Sequence, residues 1–275
     1  MTPKARKQFA QHWLRSEQAL QRIVAAARLE SSDRILEIGP GTGILTRRLL
    51  PEVQSVVAVE IDRDLCELLA KKLGFQDNFL LLQGDFLSLN LDTQLASFPN
   101  FQNPNKVVAN IPYNITGPIL ERLLGTISQP REPAFDLIVL LVQKEVAQRL
   151  SAHPGSRTFG GLSVRVQYLA TCEFICDVPK SAFSPPPQVD SAVVRLVPQQ
   201  VVPPASDPKG FEILVKLGFS SKRKMLRNNL KSVVECDRLT HLLEQLEVNP
   251  QARAEDLSVS QWVALANELP PNFIN

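Results

Sequence analysis

Two short segments of this chain carry residue types whose spacing could do chemistry. The first, Glu37-Ile38-Gly39-Pro40-Gly41-Thr42-Gly43, sets three glycines at alternate positions after a short apolar run. Glycine tolerates positive φ and has no side chain, so such a turn lets the backbone bend sharply and approach a ligand closely. The second, Asn110-Ile111-Pro112-Tyr113, also follows an apolar run. There the Asn110 side-chain oxygen and a backbone oxygen at Ile111 can each accept one hydrogen of an amino group. A conjugated amino nitrogen is a poor nucleophile, and two such acceptors draw it toward a pyramidal geometry with its lone pair exposed. Pro112 fixes φ, lacks an N–H and holds those acceptors in place. Tyr113 offers a flat face to a base, and stacking of that kind contributes on the order of 1–3 kcal/mol.

Two acidic residues support a nucleoside cofactor at the turn. Glu60 ends the next apolar run, roughly twenty residues on, where a carboxylate accepts both hydrogens of a ribose diol. In Gly84-Asp85-Phe86, Asp85 can accept from an adenine amino group while the large Phe86 side chain covers the ring. Each feature has a plainer reading: a tight structural turn for the glycines, a helix N-cap for Asp85, and a strand-ending turn for Asn110 to Tyr113. The dinucleotide fingerprint GxGxxG fails, because Ile44 stands where its third glycine should be, so a pyrophosphate cradle is disfavoured. A nucleoside cofactor without pyrophosphate, beside an acceptor for an amino group, points to methyl transfer from S-adenosylmethionine to an exocyclic nitrogen. No strong general base is needed, since the nitrogen loses its proton easily once cationic, and proximity in a dry site carries much of the rate.

The elements that must position these residues follow from periodicity. A helix is predicted over Leu20 to Leu29 and strands over Arg34 to Ile38 and Ser55 to Glu60. A helix over Asp62 to Leu73, strands over Asn78 to Gln83 and Lys106 to Asn110, a helix over Ile115 to Leu124 and a strand over Phe135 to Val142 come next. Leu89 to Asn105 reads as a helical connection with a loose loop. Alternation of this kind gives an α/β fold, a parallel, doubly wound, Rossmann-like sheet with helices on both faces, and with the edge hairpin that follows it resembles a class I methyltransferase. Cys172 to Val178 and Ser191 to Val197 are expected to pair as a hairpin at the sheet edge. Pro198 to Pro208 reads as a linker, after which helical patterns near Phe211 to Phe219, Lys222 to Val233, Asp237 to Leu246 and Ser260 to Leu269 imply a small all-helical C-terminal domain. The expected division is 1–200 for catalysis and 201–275 for RNA binding.

Composition excludes several classes. The chain has 275 residues, 44% of them hydrophobic, and its longest apolar run, Phe135 to Val142, is interrupted by Asp136 and far too short to span a bilayer. The N-terminus carries no signal-peptide pattern, so a cytoplasmic protein is expected. Cys66, Cys172, Cys176 and Cys236 lack CxxC spacing and the three histidines are far apart, which argues for free thiols and no metal. The net charge is only +2, yet Lys4, Arg6, Lys7, Arg15, Arg22 and Arg28 face Glu17 alone, and Lys209, Lys216, Lys222, Arg223, Lys224, Arg227 and Lys231 face Glu212 alone. Such blocks are often solvated faces, but flanking an acid-bearing core they suit a polyanion such as RNA.

At this point the chain closely resembles the ribosomal RNA adenine N6,N6-dimethyltransferase family, and in particular its bacterial small-subunit branch. Besides the segments above, the likeness is carried by Ala5 to Leu14, Gln143 to Val146, Phe159 to Val164, Ser181 to Leu196 and Phe219 to Lys224. The resemblance implies an enzyme that puts two methyls on each of two adjacent adenosines in a hairpin loop near the 3′ end of 16S rRNA, with a role in small-subunit biogenesis. It implies a cofactor held by His12, Leu14, Gly39, Gly41, Glu60, Asp85, Phe86 and Asn110, a base stacked with Tyr113 and Phe183, and RNA contacts from Lys222, Arg223, Lys224 and Arg227. The family usually reads Gly-Gln-Asn-Phe-Leu where this chain has Ala10-Gln11-His12-Trp13-Leu14. The expected partner is 16S rRNA in the small subunit or its precursor, with a monomer as default. The alternatives are a large-subunit rRNA adenine dimethyltransferase, and a ribosome assembly factor in which catalysis is secondary.

Overall fold

The computed structural model describes residue 6 and residues 11–132, 134–199 and 203–270. Its strands are β1 (Trp13–Leu14), β2 (Arg34–Ile38), β3 (Ser55–Glu60), β4 (Phe79–Gln83), β5 (Lys106–Asn110), β6 (Leu137–Gln143), β7 (Ala170–Val178), β8 (Phe183–Ser184) and β9 (Ser191–Pro198). Its helices are α1 (Glu17–Ala27), α2 (Thr46–Leu49), α3 (Arg63–Leu73), α4 (Leu91–Leu95), α5 (Thr116–Leu124), α6 (Lys144–Leu150), α7 (Gly161–Leu169), α8 (Pro208–Gly218), α9 (Leu226–Leu230), α10 (Cys236–Gln245) and α11 (Val259–Asn267). They divide into two units, one of 1–123, 133–147 and 173–198, the other of 124–132, 148–172 and 199–275.

The first unit is built on a seven-stranded sheet of order β4-β3-β2-β5-β6-β9-β7. β2 pairs in parallel with β3 on one side and β5 on the other. The chain reverses its direction of winding between β2 and β5, and in open α/β sheets the crevice at such a switch point is where ligands bind. β9 runs antiparallel to β6, from Ile138 opposite Leu196 to Gln143 opposite Ser191, and lies between β6 and β7. The sheet is mixed, with helices on both sides, a class I methyltransferase fold. The β2, β3, β5 and β6 strands are almost wholly buried, as central parallel strands covered on both faces must be. α1 is capped by Ser16, whose Oγ accepts from the Ala19 N–H, and buries Leu20, Ile23 and Ala27. One ion pair lies inside this layer: Lys106 Nζ donates to Asp33 Oδ2 at 2.7 Å. Burial would raise the Asp33 carboxyl, but its bonds from Lys106, Asn105 and the Glu30 N–H hold it below the ordinary value.

A second, two-stranded sheet pairs β1 with β8, Trp13 opposite Ser184 and Leu14 opposite Phe183. Periodicity gave no sign of it, because two residues are too few to show alternation.

The second unit packs α7 to α11 around Phe211, Trp262, Leu226, Leu239 and Leu243, all fully buried or nearly so. A Cβ at Gly218 would stand 2.3 Å from Trp262 Cη2, so only glycine lets α8 lie against that ring. Trp262 Nε1 donates to Ala254 O at 3.2 Å, which satisfies its buried N–H. Asp207 and Ser258 cap α8 and α11. Two features differ from the sequence reading. Segments 124–132 and 148–172 join the C-terminal residues in this unit, whereas the proline-rich stretch suggested one boundary at 200. The helix predicted over Lys222 to Val233 shrinks to α9, because Met225 is extended and bridges to Arg253, leaving Lys222 to Lys224 in a loop.

Candidate active site

At the carboxyl ends of β2, β3, β4 and β5 the first unit holds a cavity of about 360 Å³, within the range of small-molecule sites. Gly39, Gly41 and Gly43 all have positive φ, at 65°, 58° and 78°. They have separate jobs. The Gly39 N–H donates to Val59 O at 2.9 Å and ties the turn to β3. A Cβ at Gly43 would stand 2.8 Å from Leu69 Cδ2, so this glycine seats the turn on α3, while one at Gly41 would stand 3.2 Å from Trp13 Cδ1 beside the cavity.

Glu60 is buried and held at both oxygens: Oε2 accepts from the Gly41 N–H at 3.1 Å and Oε1 from the Asp62 N–H at 2.9 Å. Burial pushes its pKa up, while those two N–H groups oppose the shift. Carboxylate oxygens carry two lone pairs each, so both stay able to accept from a diol. Asp85 Oδ1 accepts from the Leu87 N–H at 2.9 Å, so Asp85 closes a turn on the cavity wall, and the helix that follows is capped by Asn90 instead. Phe86 is buried, and the Arg122 guanidinium stands 5.1 Å from its ring centroid. Arg122 Nη1 donates to Leu87 O at 2.7 Å and Nη2 to Leu89 O. Thus α5, which starts just after the Asn110 to Tyr113 segment, reaches back and pins the Asp85 loop.

Asn110 ends β5. Its Nδ2 donates to His12 O at 3.3 Å, which commits the nitrogen end to the protein and leaves the oxygen end as acceptor. Asn110 O and Pro112 Cδ each lie 3.9 Å from a Cβ built on Gly39, so the glycine turn and the amino-accepting segment abut. Ile111 is buried. The Tyr113 hydroxyl shares a hydrogen bond with Ser191 Oγ, and burial raises its pKa. Its ring is stacked with His12, centroids 6.1 Å apart. His12 Nδ1 lies 2.9 Å from Pro185 O. A carbonyl only accepts, so Nδ1 carries a proton and donates it to Pro185 O.

The structure therefore brings together His12, Leu14, Gly39, Gly41, Glu60, Asp85, Phe86, Asn110, Ile111, Pro112 and Tyr113 around one cavity. Phe183 is placed elsewhere: it is 4% exposed, packs in the core and does not line the cavity. Lys222, Arg223 and Lys224 are exposed in the second unit and Arg227 is half-buried there. The Lys222 ammonium donates to Arg157 O, which adds an exposed basic residue the sequence reading passed over. Lys4 and Lys7 lie outside the described residues, whereas Arg6 pairs with Asp62 and Asp64.

Sequence reasoning missed the roles of Arg122, Ile61 and Glu37. Ile61, directly after Glu60, is an apolar side chain 46% exposed at the cavity; its place beside the ribose acid was the available signal. Glu37 is 1% exposed, with no partner for Oε2. Burial pushes its carboxyl up to about 8, and the Glu60 charge adds to the shift. Glu37, Glu60 and Asp85 line the cavity and, among the described residues, no Lys or Arg does. An acidic wall suits the sulfonium and ammonium of S-adenosylmethionine, and Gly41 and the unpartnered Trp13 Nε1 and Glu37 Oε2 leave room and polar atoms for it. Among the described residues no helix is long and apolar enough to cross a membrane, and no cluster of His, Cys, Asp or Glu could hold a metal.

Known proteins resemble the chain over nearly all of its length. A family model described as ribosomal RNA adenine dimethylase matches residues 2–270. The chain is 74% identical over 264 residues to a ribosomal RNA small subunit methyltransferase A of a Nostoc species, covering 96% of this chain and 97% of that one. The crystal structure of a dimethyladenosine transferase from Plasmodium falciparum superposes with TM-score 0.76 at 28% identity, over 92% of this chain and 96% of that one. That of the 23S rRNA methyltransferase ErmE does so with TM-score 0.72 at 27% identity, over 92% and 98%.

Proposed function

The chain belongs to the ribosomal RNA adenine dimethylase family and is an S-adenosylmethionine-dependent rRNA adenine N6,N6-dimethyltransferase; on that premise we propose that its substrate is 16S rRNA, at two adjacent adenosines of a hairpin loop near the 3′ end. The name shared by relatives such as the Nostoc protein supports the small-subunit choice. A loop suits the chemistry, because the target adenine must leave its stack and that costs least where pairing is absent.

When bound, the cofactor supplies a methyl group on a sulfonium, activated toward a nucleophile. Glu60 receives the ribose hydroxyls, Asp85 the adenine amino group, and Phe86, kept in place by Arg122, covers the ring. Asn110 Oδ1 and the backbone oxygen at Ile111 accept from the target N6 amino group, and Tyr113 stacks on the base. With the cofactor held by these residues, its methyl would pass from the sulfonium to the nitrogen lone pair, leaving the sulfur as a thioether, and the nitrogen would then release its proton to water. In the second transfer the nitrogen has one N–H left and keeps one of its two acceptors. The arrangement of Asn110 carries this reading: its nitrogen end is engaged by His12 O, so its oxygen end is directed to the task before any ligand arrives.

Lys222, Arg223, Lys224 and Arg227 are assigned to phosphate contacts, which position RNA without reading bases. The test is incubation of the purified protein with labelled S-adenosylmethionine and unmodified small or large subunits, then nucleoside mass analysis. Dimethyladenosine confined to small-subunit RNA is expected. The same product only in large-subunit RNA would overturn the substrate assignment, and absence of product with either subunit would favour an assembly role.

A further inference from the structure

One buried donor at the cavity has no work in the mechanism above. Trp13 Nε1 is inaccessible and without a partner, yet its side chain lines the cavity. The indole is fixed by its backbone: β1 pairs Trp13 with Ser184, and the Arg15 N–H donates to Ala182 O at 2.7 Å. It is held over the glycine turn, where a Cβ on Gly41 would stand 3.5 Å from Nε1.

An indole N–H only donates, and a buried donor left unpaired is costly. S-adenosylmethionine offers one anionic acceptor, the α-carboxylate of its methionine end. Among the described residues no Lys or Arg lines the cavity to receive it, and three acidic side chains do. Neighbouring side-chain donors are already engaged: Gln11 Nε2 donates to Asp62 Oδ2 at 2.9 Å, and His12 Nδ1 donates to Pro185 O. We propose that Trp13 Nε1–H donates to the α-carboxylate of the cofactor, with the turn amides and the Thr42 hydroxyl completing its shell. Trp13 is then a binding residue that selects the amino-acid end of the cofactor, while Glu60 and Asp85 select its nucleoside end. This assignment rests on the reading of the cavity as the S-adenosylmethionine site.

Calorimetric titration of the full chain and its Trp13→Phe variant with two ligands tests it. S-adenosylhomocysteine has the carboxylate; 5′-methylthioadenosine keeps the nucleoside and thioether but lacks the amino-acid end. Removing a hydrogen bond to a charged group should weaken S-adenosylhomocysteine binding by about tenfold or more in the variant. Binding of 5′-methylthioadenosine should stay at the wild-type level, which also shows that the variant folds. Equal losses for both ligands would make Trp13 a packing contact and overturn the assignment, as would wild-type affinity for S-adenosylhomocysteine in the variant. Wild-type protein that binds neither ligand would overturn the reading of the cavity itself. Fluorescence gives a second readout, because Trp13 and Trp262 are the only tryptophans and Trp262 is fully buried in the second unit. S-adenosylhomocysteine should perturb wild-type emission and leave the variant's unchanged; an equal perturbation in the variant would count against the contact.

Discussion

The cavity of the first unit and the basic loop of the second handle charge in opposite ways. Around the cavity the groups assigned to the nucleoside and the target amino group are aimed by others: Glu60 by two backbone N–H groups, Asn110 by His12 O, and the Asp85 loop by Arg122. In the loop, Lys222, Arg223 and Lys224 stand exposed, and the contact from Lys222 to Arg157 O is made by a flexible ammonium. Methyl transfer needs a lone pair, a carbon and a leaving sulfur in line, so direction must be set before the ligand arrives. Holding a phosphate backbone needs only nearby positive charge, which mobile side chains supply.

Asn110→Ala tests that contrast most severely. Single-turnover methylation should fall on the order of 10²-fold or more, with a far smaller loss of calorimetric affinity for S-adenosylhomocysteine; unchanged turnover would remove Asn110 from the mechanism. Reversing Lys222, Arg223 and Lys224 to Glu should act on the other side alone. RNA affinity at low salt should drop on the order of 10²-fold, with the slope of log K against log salt shallower by about three. Wild-type RNA affinity in that variant would defeat the assignment.

The third effect concerns proton linkage. The Glu37 carboxyl has an ordinary value of 4.5 and sits at about 8 in the fold, so between these values the native state holds a proton that the unfolded chain has lost. Stability of the ligand-free protein should therefore be highest below about 4.5 in this contribution, fall as pH rises to about 8, and level off above. The slope is at most about tenfold in the folding equilibrium per pH unit, and Glu60, also raised, acts with the same sign. Denaturant melts from pH 5 to 8.5 should show Glu37→Gln with a flatter profile than wild type; parallel profiles would refute the linkage. Smallest of the four, Arg122→Met keeps the packing on Phe86 but releases Leu87 O and Leu89 O. S-adenosylhomocysteine affinity should fall a few-fold, in keeping with the loss of one or two charged hydrogen bonds at a partly exposed site, and titration calorimetry showing no loss would make the clamp idle.

The contrast also explains what could be read from the sequence. The glycine turn, Glu60, Asp85 and Asn110 lie at strand ends, and each strand announces itself by a local apolar run, so the wall they form was legible. β1 and β8 were not, because a two-residue strand has no periodicity and its partner is far along the chain. Trp13 consequently looked like one more residue of a family-like segment. The α9 region misled for a different reason: its pattern is helical from Lys222 on, but the Met225 bridge to Arg253 is a tertiary contact that overrides local preference. Phe183 was expected at the base by resemblance alone, and nothing in its neighbourhood could have shown that its ring turns into the core.

The β1–β8 pairing bears on how the protein is made. His12 and Pro185 touch across 173 residues of sequence, so the cavity wall contributed by Trp13 closes only after most of the chain has left the ribosome. Until then the glycine turn, Glu60 and Asp85 can form their strand ends, yet the piece that covers them has nothing to pair with. Cofactor binding is in that sense a late event in the life of the polypeptide, and a truncated nascent chain ending before Phe183 should be unable to retain S-adenosylhomocysteine.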